Sequence, residues 1–275
     1  MTWPSTQQSG TTKLIGYLQP DGLIVSPAAL VDAQILVNKN AAPLQKRWAE
    51  FITEIKLDDK AVSTVRSTAE VLREFLEWPE DCIVGLNADK PIPEALKVPL
   101  REFGETLEPT YAFEPPKPID ADNPWLVLVQ DLPRSTNLDT PRDSTLSGWT
   151  ATPTRRFERL LRETGVPIGL LSNRTHFRLI YAPRGENTGT ITFPVEAMNE
   201  IAGRPVVAAF EMLLSRERLL SAPREARLLT LLKRSRDYQA RVSTTLAQQV
   251  LNALYELLRG FQAADERANS DLLRK

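Results

Sequence analysis

The chain has 275 residues, 42% of them hydrophobic and 25% charged, the ordinary mix of a globular protein with a substantial core, which excludes disordered and fibrous classes. Its single cysteine, Cys82, excludes a disulfide framework and a cysteine-cluster zinc site. The first residues have neither the basic nor the apolar region of a secretory signal, and no run approaches the roughly 18 apolar residues of a membrane span. We therefore expect a cytoplasmic protein with no membrane partner.

Charge is divided unevenly along the chain, although the net charge is only −1. Residues 1–154 hold 14 Lys and Arg against 22 Asp and Glu, a net of −8, whereas residues 155–275 hold 20 against 13, a net of +7. Arginine supplies 18 of the 20 positive charges in the second part, and its planar fork suits phosphate contacts. DNA is therefore one candidate partner. Solvated helix faces paired with the acidic part of the same chain are the alternative.

The front of the chain, residues 1–104, is predicted to be mainly helical. Ser26 is a plausible N-cap, and Pro27 fits the first turn of a helix that continues to Val37. Apolar residues near helical spacing predict three more helices. Their bounds are Pro43 to Ile55, Ala61 to Trp78 and Pro93 to Thr106, with a short apolar run, Cys82 to Leu86, before the last.

Residues 105–203 are predicted to form an α/β core. In chain order its elements are strands at Thr110 to Phe113 and Trp125 to Leu132, a helix at Thr154 to Thr164, a hairpin at Pro167 to Pro183 and a strand at Thr190 to Pro194. The turn-rich segment 133–152 is expected to be a long exposed loop. We expect the hairpin to join the Trp125 to Leu132 strand in one mixed β-sheet flanked by the helix.

Residues 204–275 are predicted to form a long helical connector. Apolar residues recur there at the spacing of one helix face, which indicates helix packing. They are Val242, Leu246, Val250, Ala253, Leu254, Leu257 and Phe261.

A longer match lies around the hairpin. The segment RRFERLLRETGVPIGLLSNRTHFRLIYAP, with Arg174 where Gly is usual, resembles the front modules of fused type IIG-like restriction-modification enzymes and related antiphage methyltransferase polypeptides from bacteria. The resemblance covers roughly residues 105–270. It implies a PD-(D/E)XK nuclease-like core, a mixed sheet of the restriction-endonuclease type with the order helix, strand, strand, helix, strand. In such nucleases two acidic side chains hold Mg²⁺ while a lysine orients the attacking water.

The resemblance places the three catalytic positions at Thr110, Gln130 and Leu132, so none keeps the expected acid or lysine. Glu108 and Asp131 could replace the lost carboxylates, but strand alternation sends Asp131 to the face opposite Gln130. We expect no metal site and no cleavage by the chain itself.

The methyltransferase half of such polypeptides has no counterpart here. The chain lacks an NPPY-like tetrapeptide for a flipped base and a glycine-rich turn for S-adenosylmethionine, so that cofactor is expected only if a methyltransferase is attached or partnered. The leading hypothesis is a catalytically inactive nuclease-like module of a defence system, which binds DNA independently of sequence or docks a methyltransferase or helicase subunit. A fragment of an adenine-specific DNA methyltransferase polypeptide and a purely structural interaction subunit are the alternatives.

Three arginines of the well-matched region, Arg178, Arg184 and Arg204, are candidates for DNA-backbone contact. Structural pairing is the alternative, with partners among Glu158, Glu163, Glu186 and Glu200. His176, the only histidine, is expected to be a hydrogen-bonded hairpin residue and not a catalytic one.

Overall fold

The computed structural model describes residues 19–22, 24–35, 40–57, 59–118, 123–134, 136–141 and 149–267. Its strands are β1 (Gln19–Asp21), β2 (Ile52–Leu57), β3 (Lys60–Val65), β4 (Ile83–Val84), β5 (Val98–Leu100), β6 (Glu105–Leu107), β7 (Tyr111–Phe113), β8 (Val127–Asp131), β9 (Ile168–Ser172), β10 (His176–Tyr181) and β11 (Gly189–Pro194). Its helices are α1 (Pro27–Asp32), α2 (Ala42–Ala49), α3 (Thr68–Glu70, continued by a π-helical turn at Val71–Phe75), α4 (Pro153–Thr164), α5 (Val195–Asn199), α6 (Arg204–Leu214) and α7 (Leu228–Arg267).

A seven-stranded mixed sheet organises the described chain, in the order β1-β11-β10-β9-β8-β7-β4. All neighbours pair antiparallel except β8 and β9, which are parallel. Helices cover both faces. Trp48 of α2 and Phe210 of α6 share one buried cluster with Val129, whereas Phe157 of α4 shares the other with Leu128. The prediction of an α/β fold with a mixed sheet flanked by helices is confirmed.

The β8-α4-β9 unit forms as the sequence predicts. Thr152 caps α4, because its side chain accepts a hydrogen bond from the Arg155 backbone N–H, and Gly165 ends the helix with φ +73°. Gly169 of β9 lies directly under α4, where an added Cβ would come within 2.6 Å of the Phe157 ring. The helix therefore packs closely on the sheet at this point.

The front of the chain is less helical than predicted. α1 begins after the Ser26 cap but ends at Asp32, and Val37 lies outside the described residues. The helix predicted for Pro43 to Ile55 ends at Ala49, and the hairpin of β2 and β3 follows. β-Branched residues at Ile52, Thr53, Ile55, Val62, Thr64 and Val65 favour extended backbone, and Asp59 supplies the turn with φ +63°.

Two further segments differ from their predicted secondary structure. The helix predicted from Ala61 begins only at Thr68, after the Ser67 cap. In place of the helix predicted for Pro93 to Thr106 there is the small hairpin of β5 and β6, because Pro99 interrupts helical hydrogen bonding and Gly104 turns the chain with φ +60°.

The segment 133–152 is only partly an exposed loop. Leu138 is buried in the cluster beneath α4, and residues 135 and 142–148 lie outside the described residues. The prediction of a long C-terminal helix is confirmed by α7, and residues 268–275 lie beyond the described part. None of the described helices is both long enough and apolar enough to cross a membrane.

Candidate functional site

Two side chains at the predicted catalytic positions contact each other. Thr110 immediately precedes β7, and the pairing of Tyr111 with Val129 sets it beside Gln130 of β8. Gln130 Nε2 donates a hydrogen bond to Thr110 Oγ1 over 3.2 Å, and the Asp131 backbone N–H donates to the same oxygen over 3.0 Å. The antiparallel pair of strands thus brings these two positions within hydrogen-bonding distance.

A cavity of about 190 Å³ lies next to this pair, between β6, β8 and α4. Gln130 and Leu132 both line it, since alternate residues of an extended chain point to the same side. Glu105, Glu108 and Arg156 bring charged groups to the same cavity. The three predicted catalytic positions, with the substitute acid Glu108, therefore lie at or beside one small pocket.

Arg156 is a pocket residue that the sequence analysis did not single out. Its guanidinium forms an ion pair with Glu105 and lies 5.0 Å from the ring centroid of Trp149. Burial lowers the pKa of Arg156. Its position was detectable, because Pro153, Arg156 and Phe157 have the i, i+3, i+4 spacing of one helix face.

This pocket does not suit Mg²⁺, which prefers carboxylate oxygens and retained waters. Thr110 offers a neutral hydroxyl that already accepts two hydrogen bonds, Gln130 offers a neutral amide, and Leu132 offers no donor. The carboxylate of Glu105 is paired with Arg156. Across the described ranges, no group of three His, Cys, Asp or Glu side chains is placed to hold a metal ion.

Asp131 lies on the opposite face of the sheet, as strand alternation predicts. Its side chain is 7% exposed and accepts hydrogen bonds from Arg174 Nη2 over 2.7 Å and from Thr68 Oγ1 over 2.8 Å. The Thr68 hydroxyl also lies 2.9 Å from Ser172 Oγ. Asp131 is therefore part of a polar cluster that is separate from the pocket.

Arg174 has a left-handed backbone conformation, with φ +66°. Such a conformation is unfavourable for an arginine, and the resemblance expects glycine there. Its backbone N–H donates to Ser172 Oγ over 3.1 Å while its guanidinium holds Asp131. The hydrogen bonds that Arg174 donates to Asp131 raise the pKa of Arg174. The departure from glycine was the available sequence signal for this ion pair.

Arg178 of β10 is held on the face covered by α4. Its side chain is 11% exposed, and its Nη2 donates to Asp139 over 2.8 Å. Nε donates to Thr192 Oγ1 over 2.8 Å and Nη1 to Thr154 Oγ1 over 2.7 Å. Hydrogen bonds from Arg178 lower the pKa of Asp139. Arg178 would have to exchange these partners for a phosphate to act in DNA binding.

Arg184 and Arg204 lie apart from each other. Arg184 is exposed and donates to the backbone carbonyls of Arg162 and Glu163 near the end of α4, each over 2.6 Å. Arg204 begins α6 on the other face of the sheet, where its Nε donates to Gln45 Oε1 over 3.0 Å. The structure therefore does not gather the three candidate arginines into one cluster.

His176 is a half-buried residue at the start of β10. Its Nδ1 lies 2.9 Å from Thr175 Oγ1, and its backbone N–H donates to Asn173 Oδ1 over 2.8 Å. Burial lowers the pKa of His176, and the neighbouring charge of Arg178 acts in the same direction. This is the hydrogen-bonded hairpin histidine that the sequence predicts.

No protein-family model, no curated protein and no solved structure matches the chain.

Proposed function

We propose that this chain is a catalytically inactive, nuclease-like module of a bacterial restriction-modification or antiphage defence system, and that it binds the DNA backbone without cutting it. The sequence resemblance at residues 105–270 is the starting point. The fold and the pocket add independent support.

Part of the order of elements supports this proposal, although strands β4, β5 and β6 intervene between α3 and β7. α3 precedes strands β7 and β8, which pair antiparallel, and α4 then connects β8 to the parallel strand β9. A helix between two adjacent parallel strands is the usual crossover connection. This arrangement is what the resemblance implies for the module.

The observation that carries the proposal is the contact between Thr110 and Gln130. Two acids that share a metal ion must lie within a few ångströms of each other at neighbouring strands. Gln130 Nε2 and Thr110 Oγ1 are 3.2 Å apart beside a small pocket. The proximity of these two neutral side chains supports the proposal of an inactive site.

Cleavage is not expected from these side chains. The pocket lacks two unpaired carboxylates that could hold Mg²⁺ against a phosphodiester, and Leu132 cannot orient a water molecule. Asp131 is unsuited to replace them, since Arg174 and Thr68 hold it on the other face. Glu108 remains exposed at the pocket as a single carboxylate.

DNA binding is proposed from charge. Residues 155–275 have a net charge of +7, mostly from arginine, and a positive surface attracts the phosphate backbone regardless of sequence. Arg184 is exposed at the end of α4 and uses Nε and Nη2 for backbone carbonyls. A phosphate could approach the solvent side of such a guanidinium.

The test combines cleavage and binding assays on the purified chain. We expect no nicking of plasmid DNA with Mg²⁺ or Mn²⁺, and binding of a labelled duplex that weakens steeply with added salt. Nicking that Glu108→Ala or Asp131→Ala abolishes would overturn the inactive assignment. Absence of binding at low salt would overturn the DNA role and favour docking of a methyltransferase or helicase subunit.

A further inference from the structure

Within the part of the chain that the structure describes, the C-terminal helix α7 is anchored to the rest of the protein by its first turns. Leu228, Leu231 and Leu232 are buried, and Ser235 Oγ accepts a hydrogen bond from the Ser26 backbone N–H over 2.9 Å. Every residue from 240 to 263 is exposed. At 1.5 Å per residue this exposed stretch extends about 36 Å along the helix.

The exposed stretch carries a broad apolar face. Nine large apolar side chains on it are each 52% to 63% exposed. They are Val242, Leu246, Val250, Leu251, Leu254, Tyr255, Leu257, Leu258 and Phe261. A contiguous apolar surface of this kind usually marks an interaction site. The side chains on one side of the helix, Val242, Leu246, Val250, Leu254, Leu257 and Phe261, offer on the order of 600 Å², the lower end of what one partner contributes to a stable protein interface.

The spacing along this face is symmetric. Val242, Leu246, Val250, Ala253, Leu257 and Phe261 follow one another at intervals of 4, 4, 3, 4 and 4 residues. The same intervals result when the helix is read backwards from Phe261. A second copy placed antiparallel would therefore set Val242 against Phe261, Leu246 against Leu257 and Val250 against Ala253. Two of these pairs join a larger side chain to a smaller one, which favours close packing.

The small number of charged residues on the exposed stretch also favours a second copy of the chain as its partner. Between positions 242 and 261 the only charged residues are Glu256 and Arg259, whose side chains lie 3.5 Å apart on the same helix. Antiparallel copies would thus bring no unpaired like charges together. A helix that lies on a lipid surface typically has a polar face rich in Lys and Arg. Here the polar face is mainly Ser, Thr, Gln and Asn.

We infer that two copies of this chain associate through α7, with the exposed stretches antiparallel and related by a twofold axis near positions 251 and 252. Such an interface is isologous, because the same surface serves both partners. The inference stands independently of the proposed DNA role. The two are tested by different measurements.

Light scattering during size exclusion measures the association directly. We expect a mass close to twice the 30.9 kDa of the single chain. Leu246→Glu with Leu257→Glu should give the single-chain mass, since it places four carboxylates in the apolar contact. The matched control, Thr244→Glu with Asn252→Glu, adds the same charge away from the apolar contact and should remain dimeric. Circular dichroism should show the same helix content in all three proteins.

Spin labels measure the orientation of the helices. In a Cys82→Ala background, labels at Asn252→Cys should lie on the outer faces of the two helices with almost no separation along the helix axis, because position 252 is beside the twofold axis. Labels at Thr245→Cys should be about 20 Å apart along the helix axis, because 13 residues separate facing positions. Equal label distances at the two positions would indicate parallel helices and overturn the pairing. A single-chain mass for the unchanged protein, or a dimer that survives Leu246→Glu with Leu257→Glu, would overturn the interface itself.

Discussion

Asp131 and Arg174 form an ion pair that joins the ends of two parallel strands. Arg174 Nη2 donates to Asp131 Oδ2 over 2.7 Å, and Nε donates to the same carboxylate. The pair stabilises a left-handed arginine and keeps Asp131 away from the pocket beside Gln130.

We expect Arg174→Gly to destabilise the protein although glycine suits the backbone conformation better. The Asp131 charge would be left nearly buried without its partner, which costs about 3 kcal/mol in the free energy of unfolding. Relief of the strain in the left-handed backbone offsets roughly 1 kcal/mol of this loss in the free energy of unfolding. Urea denaturation measures the difference.

The control for this prediction is the double variant Asp131→Asn with Arg174→Gly. Removing both charges should cost less than the sum of the two single changes, by about 1 to 3 kcal/mol. Strict additivity would show that the ion pair does not couple these residues.

Restoring the nuclease residues should create a metal site. Thr110→Asp, Gln130→Glu and Leu132→Lys together place two carboxylates where two side-chain atoms now lie 3.2 Å apart. We expect saturable Mn²⁺ binding by calorimetry that the unchanged protein does not show. The matched control, Thr110→Asn with the same other two changes, has one carboxylate fewer and should bind more weakly by tenfold or so. If the restored protein is folded and binds no better than this control, the assignment of the catalytic positions is wrong.

The three candidate arginines can be separated by salt dependence. Each phosphate contact contributes about 0.9 to the slope of log K against log salt concentration, so changing Arg178, Arg184 and Arg204 to Ala should reduce the slope by about 2 to 3 if all three contact DNA. Fluorescence anisotropy with a labelled duplex measures the slope.

The single change Arg178→Ala distinguishes a role of Arg178 in folding from a role in DNA contact. It would leave Thr192 and Thr154 without their shared donor, and we expect a loss of about 1 to 3 kcal/mol in stability. A lower melting temperature with an unchanged salt slope would assign Arg178 to folding and leave DNA contact to the other two.

His176 should make stability dependent on pH. Because burial lowers its pKa in the folded protein below the 6.5 of the unfolded chain, the unfolded state binds the proton first as the pH falls. Its contribution is complete above about pH 6.5 and is lost as the pH falls toward the folded-state pKa. Melting curves between pH 8 and pH 5 should therefore show a decline that is smaller in His176→Gln. An equal decline in both proteins would assign it to other groups.

The α/β core was the part most predictable from sequence. A continuous apolar run in β8 and clear caps at Thr152 and Gly165 fixed the strand and α4 to within two residues. The helices predicted for the front of the chain were partly wrong. Ile52 to Val65 combines β-branched residues, which favour strands, with apolar spacing typical of a helix, and the pairing of β2 with β3 decides for strands.

The neighbouring positions of Thr110 and Gln130 could be predicted from the sequence, but the ion pairs around them could not. The resemblance drew attention to Thr110 and Gln130, which are in contact, and strand alternation predicted that Asp131 lies on the other face. Glu105 lies 51 residues before its partner Arg156 in the sequence, and Asp131 lies 43 residues before its partner Arg174. Such long-range pairs depend on how strands and helices pack, which local patterns do not encode.

The short outer strands of the sheet restrict how this protein can associate. Within the described residues the sheet ends in β1, with three residues, and β4, with two. Edges this short offer few free backbone groups to an incoming strand, so they resist edge-to-edge growth and aggregation. Partners that add a β-strand to this seven-stranded sheet are therefore disfavoured.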